Sequence, residues 1–453
     1  MKSMWRCMAM LVFALQVGGA AASDGATPIA DGPSVAPQIH VEFAIYYPQH
    51  PPVEPRAALR SRLGAGAGMP KLVEHLAADV HGAEVSAAWT AHAPKDYAPP
   101  DVRMTKLFGH GLTPDQAEAL SHAEEALVLD FTHPGKDRMA ALRNAQLLAE
   151  QVARDTHGLL WDDETREVFT PDAWHERRVL GWEGDVPDVA RNTVMHFYPD
   201  EGGYRCITLG MAKFGEPDLV VENMVASGSR NIGNMINVLA QALVEGASTD
   251  ARGRMELRLQ QSRHRAVNAS QGEGLKPNAQ RVAQLLLVQG VRQEGDADNR
   301  LIRVAFDRYA GPDDHARQAA LGAAMYGNED NVTRVKHDAK LLAARDAARA
   351  HLPELRERFN RGLAPGEYIQ VKAPFDADGG GHEWMWVEVR KWTGDRIEGT
   401  LQNEPEAVKH LRSGQDVVVS QAALFDYIFR RADGQVEGNT TGAIIAEQER
   451  DAR

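Results

Sequence analysis

The run EALVLDFTHPGKDRMAALRNAQLLAEQVARDTHGLLWDDETREVFTPDAW, residues 125–174, decides the fold class. EALVLDF (125–131) is a continuous apolar run of strand length and reads as a buried strand. DRMAALRNAQLLAEQVARDTHG (137–158) sets Met139, Leu142, Leu147 and Val152, with interspersed alanines, on one broad face. That spacing predicts a helix, and Gly158 suits the position just past its end. LLWDDETREVF (159–169) gives two short strands around the turn Asp162-Asp163-Glu164-Thr165, and Thr170-Pro171 starts a further helix with a capping hydroxyl and a proline at its first position. Strands interleaved with helices, with hairpins among them, argue for an α+β fold.

Upstream, IHVEFAIYY (39–47) and EVSAAW (84–89) read as strands. Between them PPVEPRAALRSRL turns into a helix, and GMPKLVEHLAADV (68–80) has apolar residues at helical spacing. LTPDQAEALSHA (112–123) is a helix with Thr113 as cap and Pro114 at its first position. Downstream, TVMHFYP (193–199) and YRCITLGMAKFG (204–215) form a hairpin around Asp200-Glu201-Gly202-Gly203, DLVVENM (218–224) is a strand, and NIGNMINVLAQALVEG (231–246) is a helix. Residues 38–250 are therefore expected to form an α+β domain, an α/β sandwich-like unit with a mixed sheet. Residues 251–342 read as a linker with a β-hairpin and helices. Its first part, 251–275, is polar and arginine-rich, and LLLVQGVRQEGDADNRLIRVAFDR (285–308) gives two strands about the acidic turn Glu294–Asn299. Helical patterning dominates from Pro312 to Phe359. After the helix AARDAARAHLPELRERFNRGL (343–363), short strands follow: YIQVKAPF, HEWMWVEVRKW, RIEGTLQN, DVVVS and AIIAEQ. Residues 343–453 are thus a small, mostly-β C-terminal domain.

The first residues place Lys2 and Arg6 before an apolar run from Cys7 to Val17, and small residues follow to Ala20-Ala21-Ala22. This is the pattern of a secretory signal peptide over 1–22, followed by a flexible leader over 23–37 rich in Gly, Pro, Ala and Ser. The apolar run is about half the roughly 20 residues a spanning helix needs, so no membrane span is expected after processing. Removing residues 1–22 takes away two basic residues and no acid, moving the net charge from −13 to −15. Nucleic acid is a poor partner for such a surface. Only Cys206 survives processing, so no internal disulfide is available and stability must come from the core.

Signatures of catalysis are missing: there is no G-x-S-x-G, S-x-x-K or P-loop. GAGAG (64–68) has the composition of a phosphate loop without the strand before it or the Lys-Ser/Thr pair after it, and reads as a flexible loop. Cys206, inside a strand pattern, reads as buried and inert. His75 and Asp79 would share a helix face as a surface pair, His110 between two glycines reads as a loop residue, and His157 suits the negative end of a helix. The sharpest metal candidate is Asp376, Asp378, His382 and Glu383, three carboxylates and an imidazole within eight residues. A calcium loop counted from Asp376 would need an acid at position 12, where Val387 stands, and a Gly-rich connection between two strands is what a hairpin needs anyway. Alternation in HEWMWVEV puts Trp384, Trp386 and Glu388 on one face and Glu383, Met385, Val387 and Val389 on the other. One face belongs to the core; the tryptophan face is either a binding surface or covered by packing.

With these residues laid out, the C-terminal part resembles the YegJ-like family, domain of unknown function 2314. The resemblance rests on K-x-P-F, then W-V-E-V, then G-T-L-x-N-x-P and L-x-x-G-x-x-V-V-V in order, over about a quarter of the chain. The tail departs from the family pattern, with Thr441-Gly442-Ala443 where a glycine-tyrosine is expected. Upstream, TLGMAKFGEPDLVV (208–221), within residues 193–246, is similar to a segment of domain of unknown function 4261. Neither resemblance brings catalytic residues or a cofactor with it. The function expected is that of an exported, periplasmic or secreted, non-catalytic binding protein recognising a protein or envelope component. The alternatives are a metal-dependent or hydrolytic enzyme whose residues converge from distant segments, and an immunity-like inhibitor.

Overall fold

The computed structural model describes residue 29 and residues 34–444, apart from 64–67, 201–202, 225–228, 277, 312, 328–338, 365–366, 379–380, 404, 406, 409, 432–434 and 443. The signal peptide, most of the leader, the GAGAG loop up to residue 67 and the turn glycines 379–380 lie outside the described residues. So does the closing strand AIIAEQ except Ile444, which is helical. The fold is α+β.

Seven strands form the first sheet: β1 (Gln38–Tyr47), β2 (Lys71–Leu72), β3 (Glu84–Thr90), β4 (Gly109–His110), β5 (Glu125–Pro134), β6 (Leu159–Asp162) and β7 (Glu167–Phe169). Their order is β2-β3-β5-β1-β6-β7-β4. It is a mixed sheet: β1 runs antiparallel to β5 and β6, whereas β2 pairs parallel with β3 and β4 with β7. Both faces of β1 are covered, which is why FAIYY is apolar without alternation. Phe43, Ile45 and Tyr47 pack with Leu142, Leu148 and Val152 of the helix Arg138–Thr156, while Ala44 and Tyr46 pack with Val128 and Leu120 on the other side. The stretch 68–80 departs from its helical pattern. Val73 follows β2 in donating its amide to Val85, and the Ala77 amide donates to Glu84, so His75 and Asp79 share no helix. Gly68 (φ +82°) and Pro70 begin the stretch with turn geometry, and pairing to β3 outweighs the local period.

After a two-stranded ribbon, β8 (Trp182–Glu183) with β9 (Val186–Pro187), six strands form the second sheet: β10 (Val194–Asp200), β11 (Gly203–Leu209), β12 (Asp218–Met224), β13 (Arg254–Arg258), β14 (Val282–Gln289) and β15 (Leu301–Ala305). The order is β10-β11-β12-β15-β14-β13, with β12 parallel to β15. The helix Ser229–Val244 lays Ile232, Met235, Ile236, Leu239 and Leu243 against Cys206, Leu219, Leu285 and Ile302. Residues 251–275 therefore do more than link: Arg254–Arg258 is an edge strand with Met255 and Leu257 buried between exposed charges, and the sheet crosses the boundary at residue 250.

The C-terminal sheet is antiparallel throughout: β16 (Tyr368–Asp376), β17 (His382–Thr393), β18 (Arg396–Leu401), β19 (Asp416–Ser420), β20 (Asp426–Arg430) and β21 (Val436–Gly438), in the order β19-β18-β17-β16-β20-β21. One face carries Ile369, Val371, Met385, Val387 and Val389 against Ala348, Leu352 and Leu355 of the helix Ala339–Arg361.

Candidate functional site

On β17 the buried face is the one with Met385, Val387 and Val389, so the helix takes that side and Trp384 and Trp386 look the other way, each half-buried. Register places Pro374 opposite Trp384, Lys372 opposite Trp386 and Gln370 opposite Glu388. The Trp384 ring lies 4.6 Å from Phe425, centroid to centroid, and Lys372 Nζ stands 5.6 Å from the Trp386 centroid, within cation–π range. Burial lowers the Lys372 ammonium, with Asp426 pulling the other way. Asp426 is itself buried and accepts hydrogen bonds from the Thr441 amide (2.8 Å) and hydroxyl (2.5 Å), which fixes the tail beside this face. Glu388 is buried, and Tyr204 of β11 feels both Glu388 and Arg390. The strip is thus covered at its Glu388 end and partly open at its tryptophans. Lys372 and Phe425 escaped sequence reading, although pairing the two strands about the glycine turn would have set Lys372 opposite Trp386.

The four candidate ligands divide among different partners. Asp376 Oδ1 meets His382 Nδ1 at 3.0 Å across the end of the hairpin, with both side chains mostly exposed. Glu383 instead accepts the Ala407 amide at 2.8 Å, and Asp378 lies 3.8 Å from His410. Among the described residues no group of three or more His, Cys, Asp or Glu is arranged to hold a metal ion. An open cleft of about 680 Å³ beside the start of the helix Asp314–Tyr326 is lined by charges of both signs, including Arg390 and Asp416, which meet each other at 3.4 Å.

A second constellation lies where the two N-terminal sheets meet. Asp162 closes β6, Glu167 opens β7, Arg178 comes from the π-helical turn His175–Val179, and Lys213 from the 3-10 turn Met211–Phe214. All four are buried. Arg178 donates to Asp162 Oδ2 through Nε (3.1 Å), to Glu167 Oε2 (2.7 Å) and Thr165 Oγ1 (3.2 Å) through Nη2, and to the Arg191 carbonyl. Lys213 Nζ stands 2.5 Å from Asp162 Oδ2. His110, which sequence left in a loop, pairs with Glu167 through Nε2 at 2.7 Å and stacks on Phe169 at 4.7 Å. Burial pushes Glu167 up, but His110 and Arg178 outweigh it and hold the carboxyl well below the usual range. A π-turn is rare, and this one aims Arg178 inward directly after the helix Pro171–Trp174. The segment TLGMAKFGEPD now has a physical reading: Gly210 (φ +102°) and Gly215 (φ +71°) bracket the turn that buries Lys213. Asp218, accepting from Thr208 Oγ1 and Asn299, ties the turn to the sheet, and burial pushes its carboxyl up to about 6. None of these four charges was singled out by sequence, because their contacts join residues up to 57 positions apart.

Residues 336–453 match a family model described as an uncharacterized protein conserved in bacteria, DUF2314. No curated protein and no solved structure matches the chain. The match contains the tryptophan strip and begins well downstream of the buried ion network.

Proposed function

We propose that this chain is an exported binding protein without catalytic activity, and that the open part of its C-terminal sheet, centred on Trp386, Lys372 and Trp384, is its recognition surface for a protein or envelope component. Export rests on the sequence pattern of residues 1–22. The observation that carries the binding reading is the division of labour on β17: Met385, Val387 and Val389 supply the core, while two large aromatic side chains on the opposite side stay half-buried. Tryptophan is among the residues that most often dominate recognition energies. In the finer reading, residues 343–453 are YegJ-like and residues 193–246 are related to domain of unknown function 4261.

The test is affinity capture from an envelope fraction with the purified chain, comparing wild type with Trp386→Ala. Capture of a defined partner should weaken at least tenfold while the thermal midpoint stays within a few degrees. Equal capture by folded Trp386→Ala would sink this surface. The reading also predicts that a chelator leaves stability unchanged; a stoichiometric metal in elemental analysis would move the proposal to Asp376, Asp378, His382 and Glu383.

A further inference from the structure

We propose that Lys213 and Asp162 are joined in the mature protein by an intramolecular isopeptide bond that forms within the folded chain. The two side chains are fully buried, and Nζ lies 2.5 Å from Oδ2. A charge-assisted hydrogen bond between nitrogen and oxygen spans about 2.7–2.9 Å. Standard bond lengths put an amide nitrogen about 2.25 Å from its carbonyl oxygen. At this separation the buried amine is in direct contact with the carboxyl group it would attack.

The two carboxyl oxygens are not equivalent. Oδ2 receives Arg178 and Lys213, whereas Oδ1 is buried with no hydrogen-bond partner. An orphaned buried carboxylate oxygen is costly to keep. Amide formation expels that oxygen as water and retains Oδ2 as a carbonyl oxygen facing the Arg178 guanidinium, which is placed to stabilise the negative charge of the tetrahedral intermediate. The charge balance also improves: a buried set of two cations and two anions becomes the single pair Arg178–Glu167. Fewer ions then bear the desolvation cost.

The amine must be neutral to attack and the departing oxygen must take up a proton. Burial lowers the Lys213 amine, although Asp162 opposes this. Glu164 is half-buried two residues beyond Asp162 and feels both Lys213 and Asp162; burial first, then Asp162 and Asp163, pushes its carboxyl up to about 8 against the pull of Lys213. Glu164 sits in the same tight turn as Asp162, closed by the Arg166 amide on the Asp162 carbonyl at 2.8 Å, and this places it as the proton carrier. One proton passes from the Nζ ammonium to the Asp162 carboxylate, the neutral Nζ then attacks Cγ, and the C–N bond forms. One Nζ proton passes by way of Glu164 to the Oδ1 hydroxyl, the C–Oδ1 bond breaks, and water leaves. Amine plus carboxylic acid gives amide plus one water, with no oxidant or other reactant. The bond would staple the end of β6 in the first sheet to the turn between β11 and β12 in the second, in a chain whose Cys206 is free.

Denaturing peptide mapping decides the matter. Trypsin should leave residues 155–166, DTHGLLWDDETR, attached to residues 206–230, uncut at Lys213, as one branched species lighter than the sum of its two parts by one water. Lys213→Arg and Asp162→Ala should each give only linear peptides, and Glu164→Gln should lower the linked fraction severalfold at unchanged circular dichroism. Full yield of linear 155–166 and 206–213 from folded wild-type protein would overturn the proposal, whatever the variants do. Full linkage in Glu164→Gln would overturn the role given to Glu164.

Discussion

At Gly158 the glycine and the left-handed backbone do not coincide. The helix Arg138–Thr156 ends with His157 at φ +58°, and Gly158 follows without a positive φ. A Cβ on Gly158 would stand 2.2 Å from Ile45 Cγ2 and 2.9 Å from Tyr47 Cε1, so the glycine serves close approach of the chain to β1. Gly158→Ala should therefore destabilise by about 1–3 kcal/mol, the usual cost of overpacking. His157→Gly, which relieves a left-handed side chain, should leave stability unchanged or up to about 1 kcal/mol higher. Urea unfolding of both variants checks the assignment; equal losses would contradict it. Arg178 sets a larger effect. Replacing it with Met leaves Glu167 buried with only His110, and breaking a buried pair from one side costs about 3–5 kcal/mol. The expected outcome is a large drop in the urea midpoint; a change below 1 kcal/mol would mean the network adds little.

Elements show which features are local enough to read from sequence. The helix Pro114–Ser121 begins with a complete capping box: the Gln116 amide donates to Thr113 Oγ1 at 3.2 Å, and the Thr113 amide donates to Gln116 Oε1 at 2.9 Å. Thr113→Ala should cost about 1 kcal/mol, measurable by the same unfolding assay, and an unchanged midpoint would show that tertiary packing alone holds this helix. Thr113, Pro114 and the long amphipathic helix were legible because cap, proline and period lie within a few residues of each other. The β16–β17 hairpin was legible for the same reason. By contrast, β2 borrows its strand character from pairing with β3, and β13 shows only Met255 and Leu257 between charges, which composition reads as linker. The ion network lies further from sequence reading still. Asp162 looked like the start of a turn, Lys213 like a residue in a family segment, and His110 like a loop histidine, since nothing local signals that two sheets close over them.

For the whole molecule, the separation of the cores matters. One apolar cluster runs from Ile39 to Tyr326 across both N-terminal sheets, and another from Ala348 to Phe429 in the C-terminal sheet. These two largest clusters, one in the N-terminal sheets and one in the C-terminal sheet, predict two unfolding transitions in a calorimetric scan, and the pH response of the first should differ from that of the second. Glu42 of β1 lies across from Asp130 of β5, accepts the Tyr97 hydroxyl at 2.5 Å, and is pushed up to about 8 by burial first and then by Asp163, with Tyr97 opposing and Asp130 adding to the rise. Its folded value therefore lies above that of the unfolded chain, near 4.5. Between those values the folded state keeps a proton that the unfolded chain has released, so stability is full at acid pH and declines as pH rises toward 8. One proton of difference gives a slope of at most about 1.4 kcal/mol per pH unit. Glu167, whose carboxyl is held low, acts in the opposite sense, but only below the unfolded value near 4.5, outside this window. The first transition should move to lower temperature from pH 5.5 to pH 8, and Glu42→Gln should flatten part of that slope while leaving the second transition where it was. If Glu42→Gln kept the full wild-type slope, the proton would have to reside elsewhere, and the raised carboxyls Glu164 and Asp218 of the sheet junction would be the groups to substitute next.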